Sequence, residues 1–108
     1  MRGYQLTFFT RQDRTHRGQP LAHWLVGEAR AIGIGGATLV GASEGFGHRR
    51  RIHSAYFVDL AEQPVEVVMA VTAVEGERLF ARLNEEKVRV FYSKIPVEFG
   101  MTGEEDEP

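Results

Sequence analysis

Val65-Glu66-Val67-Val68-Met69-Ala70-Val71-Thr72-Ala73-Val74-Glu75 changes physical character at a single residue. Its first seven positions are mostly apolar and β-branched, the composition of a buried strand. Thr72 then stands three residues before Glu75, the spacing of a capping box, in which each side chain satisfies the other residue's free backbone N–H at a helix start. The helix that follows carries Leu79, Phe80 and Leu83 inward. Val88-Arg89-Val90-Phe91-Tyr92 returns as a strand, and Ile95-Pro96-Val97-Glu98-Phe99 extends it beyond a break. Pro96 has no N–H to give a ladder, so that continuation belongs on an edge or a bend.

The first part of the chain has the same alternation. Tyr4-Gln5-Leu6-Thr7-Phe8-Phe9-Thr10 is β-branched and aromatic, a first strand. Arg11 to Gln19 is a polar loop, and Pro20 occupies the favoured first position of a helix. Leu21, Trp24, Leu25, Ala29 and Ile32 recur at helical spacing, so the helix runs from Pro20 to Ile32 and stops at Gly33. A glycine-rich strand follows, then a long loop leading to Val65. The order strand, helix, strand, long loop, strand, helix, strand is α+β, ferredoxin-like βαββαβ: a four-stranded antiparallel sheet with two helices on one face. The opposite face, to which Phe8 or Phe9 contributes depending on register, has no third layer to cover it. Self-association is the simplest cover for such a face.

The glycine-rich strand, Gly36-Ala37-Thr38-Leu39-Val40-Gly41-Ala42-Ser43-Glu44-Gly45-Phe46-Gly47, is unusual in one respect. After Leu39 every second residue is tiny: Gly41, Ser43, Gly45 and Gly47. Strand side chains alternate between faces, so one side offers almost bare backbone. Glycine in a strand marks a bend, a bulge or close approach by a ligand. Here it precedes His48-Arg49-Arg50-Arg51-Ile52-His53, and exposed amides beside a cationic loop suit an anion such as phosphate. The competing reading is a strand bent for packing beside a solvated charge run.

With 108 residues, 43% hydrophobic and 26% charged, the chain has the size and composition of one soluble globular domain, expected over 1–100. No apolar run approaches the ~20 residues of a membrane helix, and Met1-Arg2-Gly3 does not open a signal peptide. Cysteine is absent, which excludes disulfides and thiolate metal sites and makes the cytoplasm the natural compartment. The net charge of −2 includes Glu104, Glu105, Asp106 and Glu107; the rest has 13 basic against 11 acidic residues. The segment 101–108 is therefore expected to be an acidic, disordered tail. The remaining body is too weakly basic for a nucleic-acid footprint.

Other chemistries find little support. His16, His48 and His53 lack metal-ligand spacing and stand among cations, so no metal is expected, and His23 reads as a packing or surface residue. Ser43 and Ser54 have no orienting acid at a recognisable spacing, so the chain is not read as an enzyme. RNA recognition needs aromatics on the third strand, where Val65 to Val71 has none. An acylphosphatase-like phosphate turn after the first strand would have Arg11, Arg14 and Arg17, but Gly18 as its only glycine.

Gly3-Tyr4-Gln5-Leu6-Thr7-Phe8-Phe9, Gly18-Gln19-Pro20-Leu21, Gly33-Ile34-Gly35-Gly36-Ala37-Thr38, Gly45-Phe46-Gly47-His48 and Arg51-Ile52-His53-Ser54-Ala55, in this order, resemble the PII signalling superfamily. The match is closest to its uncharacterised PII-like branch, domain of unknown function family 190. The resemblance implies a homotrimer with sheets facing inward, adenine nucleotides in clefts between subunits, and a loop after the second strand that touches a partner such as a membrane transporter. Carried over by position, Gly45 and Gly47 would present backbone N–H groups to phosphate. Arg49, Arg50 and Arg51 would supply charge-assisted hydrogen bonds, and Thr38 would meet the base or ribose. Phe46, His48 and His53 complete the expected ligand-binding set.

Two features depart from the PII pattern. The interval from Gly36 to Gly47 is one residue longer, which turns side chains to the opposite face unless a bulge absorbs it. The PII phosphate loop between second helix and fourth strand is missing, since only Asn84-Glu85-Glu86-Lys87 joins Leu83 to Val88. AMP or ADP is therefore expected in preference to ATP, unless the Arg11/Arg14/Arg17 loop substitutes. The expectation is a trimeric, cytoplasmic sensor that signals through the Arg49–Pro64 loop and requires no cofactor. The competing class is a non-nucleotide oligomeric metal-tolerance or structural protein of the same fold.

Overall fold

In the computed structural model, which describes residues 1–41 and 63–103, the aromatic and β-branched N-terminal run forms β1 (Arg2–Arg11) at an inner position of a four-stranded sheet. A two-strand hairpin follows, β2 (Thr15–His16) with β3 (Gln19–Pro20), before α1 (Leu21–Ile32). Then come β4 (Thr38–Gly41), β5 (Pro64–Val71), α2 (Ala73–Glu85) and β6 (Phe91–Glu98). The sheet order is β4-β5-β1-β6, every pair is antiparallel, and two helices pack on one face. This is the expected ferredoxin-like arrangement.

Register settles which phenylalanine is buried. Leu6 pairs with Met69 and Phe8 with Val67, and all four side chains lie in the core with Leu21, Leu25, Val71, Leu79 and Leu83. Phe9, one residue on, points to the bare face. The first helix ends as expected, at Gly33 in the left-handed region, whose N–H returns to the Ala29 and Arg30 carbonyls. The second begins with the full capping box: the Glu75 N–H donates to Thr72 Oγ1 at 3.2 Å, and the Thr72 N–H donates to Glu75 Oε1 at 2.9 Å.

Three boundaries differ from expectation. Pro20 closes the small hairpin and stands just before α1, at φ −56 and ψ 136, so the helix starts at Leu21. The polar loop from Arg11 to Gln19 contains the two-residue strands. Val88 to Val90 do not belong to the last strand. Lys87 has a φ of 58, and the Val88 N–H bonds back to the Leu83 carbonyl. The chain therefore spends Val88 and Val90 packing against the core before pairing begins at Phe91. From there β6 runs without a break through Pro96, which sits opposite Tyr4 on an edge strand as proline requires.

The expected acidic tail falls on 104–108, outside the described residues. No helix of the described chain is long and apolar enough to cross a membrane.

Candidate functional site

The connection between β4 and β5 holds most of the expected ligand contacts, and both of its ends leave the sheet at the same place. Gly41 pairs with Val65, and β1 finishes beside them with Arg11 opposite Pro64. The hairpin and the start of α1 lie at this end too, since the Leu21 N–H donates to the Arg14 carbonyl and the Gln12 N–H to the Gln63 carbonyl, at 2.8 and 3.0 Å. Gly45, Phe46, Gly47, His48, Arg49, Arg50, Arg51 and His53 lie outside the described residues. Thr38 is placed: it is exposed, opposite Val68, on the sheet face away from the helices. Gly41 shares the helix-side face with Leu39, and among the described residues nothing lies within 4 Å of where a Cβ on it would stand. Nearby in the same cross-strand row, the buried Thr10 hydroxyl has no hydrogen-bond partner among the described residues.

The three arginines of the first loop are used differently. Arg11 Nε pairs with Asp13 Oδ1 at 3.0 Å. Arg17 grips Glu86 with two parallel bonds, Nε to Oε1 at 2.8 Å and Nη2 to Oε2 at 2.9 Å. Arg14 makes no side-chain hydrogen bond or ion pair among the described residues.

Glu86 is the residue that sequence reasoning missed. Besides the Arg17 fork, its carboxylate meets His16 Nε2 at 2.9 Å and Arg82 Nη1 at 2.9 Å. Arg82 in turn donates from Nε to Glu28 Oε1 at 2.7 Å, joining the helices, and pairs with Glu85 at 3.1 Å. His16 packs edge-on against Trp24 with ring centroids 4.5 Å apart. Hydrogen bonds from Arg17 first and His16 second hold the Glu86 carboxyl down to about 2, well below its ordinary value. The same partnerships raise the Arg17 and Arg82 guanidinium values, through Glu86 and Glu28 respectively. The local signal was the Arg82–Glu86 spacing of four, which pairs opposite charges on a helix. Asn84-Glu85-Glu86-Lys87 is thus closed down by ion pairs made within the fold.

The sheet face away from the helices is apolar over much of its area. Phe9, Val40, Phe91 and Ile95 are exposed there, beside Val68 and Val97, with Gln5, Thr7, Glu66 and Ser93 between them. His23 is at the surface of α1. Among the described residues no group of three or more His, Asp or Glu side chains is arranged to hold a metal ion.

No curated protein matches the chain. Its fold is similar to that of a chain assigned as a PII-like signaling protein from Thermus thermophilus, at 24% identity over 89% of either chain and a TM-score of 0.59. It is also similar to CPII from Thiomonas intermedia K12 bound to ADP and bicarbonate, at 20% identity over 90% of this chain and 89% of that chain, with a TM-score of 0.52. The same protein bound to ADP, AMP and acetate gives 19% identity over 91% and 90% of the two chains and a TM-score of 0.50. At these identities the likeness is one of fold. The model of the family DUF190, described as Uncharacterized ACR, COG1993, matches residues 3–95. The chain, with its βαββαβ sheet and PII-like fold, belongs to the DUF190 family.

Proposed function

We propose that this protein is a homotrimeric, cytoplasmic PII-like regulator that binds an adenine nucleotide between subunits and signals to a protein partner through the segment after β4. It acts as a sensor and not as an enzyme. The observation that carries this reading is the family match over residues 3–95, joined to a fold neighbour, CPII, seen with ADP and AMP. The apolar sheet face supports assembly, because Phe9, Val40, Phe91 and Ile95 gain most by being covered. In this reading Gly45 and Gly47 offer amides to phosphate, Arg49, Arg50 and Arg51 bind its oxygens, and Phe46, His48, His53 and Thr38 line the rest. Ligand phosphates then shift the segment between partner-binding and free forms. The short Asn84-Glu85-Glu86-Lys87 connection, with no glycine to cradle phosphate, favours AMP or ADP over ATP.

The test combines light scattering with thermal shift. A trimer is expected, stabilised by AMP or ADP by about 2.7 kcal/mol at 100 times the Kd. Arg50→Ala with Arg51→Ala should remove that shift. A monomer, or a shift unchanged in the double variant, overturns the reading; a trimer indifferent to every adenine nucleotide leaves the non-nucleotide class of the same fold.

A further inference from the structure

Arg17 sits at the turn of the β2–β3 hairpin, with φ 53, followed by Gly18 at φ 79. Two successive positive φ values define the tight hairpin turn that matches strand twist, and they disfavour a side-chain-bearing residue such as arginine at the first position. The bidentate bond to Glu86 holds it there. This contact is asymmetric: the Arg17 side chain is 63% exposed and that of Glu86 only 9%. An ion in solution reaches the guanidinium without entering the fold.

Exchange at this site leaves no buried charge alone. When Arg17 departs with the hairpin, Glu86 keeps Arg82 Nη1 of α2 at 2.9 Å, a contact four residues away that does not involve the hairpin. The usual penalty for breaking a buried pair, an orphaned carboxylate, does not arise. The planar fork that fits a carboxylate fits phosphate oxygens equally well. Arg14, in the same loop and without a side-chain partner among the described residues, adds a second cation. The start of this loop is tied to the far side of the site by the Gln12 N–H on the Gln63 carbonyl at 3.0 Å, where the chain enters β5.

We propose that the hairpin is a latch, shut by Glu86 on Arg17 and opened by a phosphate-type anion that takes over the Arg17 fork, and that opening loosens the Gln12–Gln63 tie at the start of β5. This goes beyond the nucleotide reading and does not depend on it, because the anion contacts lie in the hairpin and not in the arginine run.

Pyrophosphate is titrated into the full chain, with the fluorescence of Trp24 and amide exchange as readouts. Trp24 is the single tryptophan and packs edge-on against His16, so it reports the state of the hairpin. The expected result is a saturable fluorescence change with exchange at Gln12 and residues 15–19 faster by about tenfold, while the Leu6 and Val67 ladder amides stay protected. Glu86→Gln weakens the internal competitor and should tighten pyrophosphate binding by about tenfold. Arg17→Lys keeps the charge but loses the fork and should weaken it, and Arg17→Ala should abolish it. The response must persist in the Arg50→Ala/Arg51→Ala protein. Three results overturn the latch: no response to pyrophosphate, a response that survives Arg17→Ala, or one that vanishes with the arginine run. The last locates the anion in the proposed nucleotide site and leaves that reading standing.

Discussion

Phe9 and Phe91 face each other across the β1–β6 pair, ring centroids 5.5 Å apart, on the side of the sheet that no helix covers. One residue away in each strand, Phe8 and Tyr92 form the corresponding pair under the helices at 6.2 Å, with Phe80 completing the cluster at 4.7 Å from Tyr92. The sheet therefore carries aromatic pairs on both faces, and the amphipathic helices account for one of them.

Phe91 tests what covers the other. It is 73% exposed in the single chain, so Phe91→Asp leaves the core intact. In a trimer with sheets facing inward it places a charge where an aromatic side chain contributes about 1.5–3 kcal/mol by burial. Light scattering should show the variant shifted to monomer with an unchanged far-ultraviolet spectrum. An unaltered oligomer would remove this face from the interface.

Gly3 is fixed by backbone, not by loop freedom. A Cβ there would overlap the Val71 carbonyl oxygen and lie 3.0 Å from the Thr72 Cα, both main chain and unable to rotate away. Gly3→Ala should cost about 1–3 kcal/mol in urea unfolding, as overpacking does. Gly27→Ala, where nothing stands within 4 Å among the described residues, is the matched control and should not destabilise.

The capping box gives a local prediction. Thr72→Ala removes the acceptor for the Glu75 N–H and should lower stability by about 1 kcal/mol. Thr72→Ser restores the oxygen and most of the loss, which chemical denaturation will resolve.

Acid should open the Glu86 cluster. The carboxyl faces Arg17 and His16 from the hairpin and Arg82 from its own helix, with Glu85 and, across on α1, Glu28 behind Arg82. Its value in the folded chain is about 2 against an ordinary 4.5, so the folded state binds this proton less readily than the unfolded one. Its stabilisation is complete above the ordinary value and is lost as pH falls through that interval. The stability gap between wild type and Glu86→Gln should therefore narrow steadily from pH 4.5 toward 2. A gap constant with pH would deny Glu86 this role.

Local chemistry is what the sequence by itself determined. β-branched runs at Tyr4–Thr10 and Val65–Val71, the Gly33 stop and the Thr72–Glu75 box depend on neighbours a few residues away, and their order leads to the ferredoxin-like sheet. The family match over 3–95 agrees with the resemblance carried by the glycine and aromatic segments. Tertiary structure decided the rest, because those outcomes depend on residues far apart in the chain. Val88-Arg89-Val90 has the alternation of a strand, yet the turn at Lys87 and the bond from Val88 to Leu83 hold it on the core, and pairing waits until Phe91. Phe8 rather than Phe9 is buried because the register against Val67 places it under the helices. Glu86 meets Arg17 and His16 from 69 and 70 positions away, and no pattern within one helix could announce that two loops would bring their charges together.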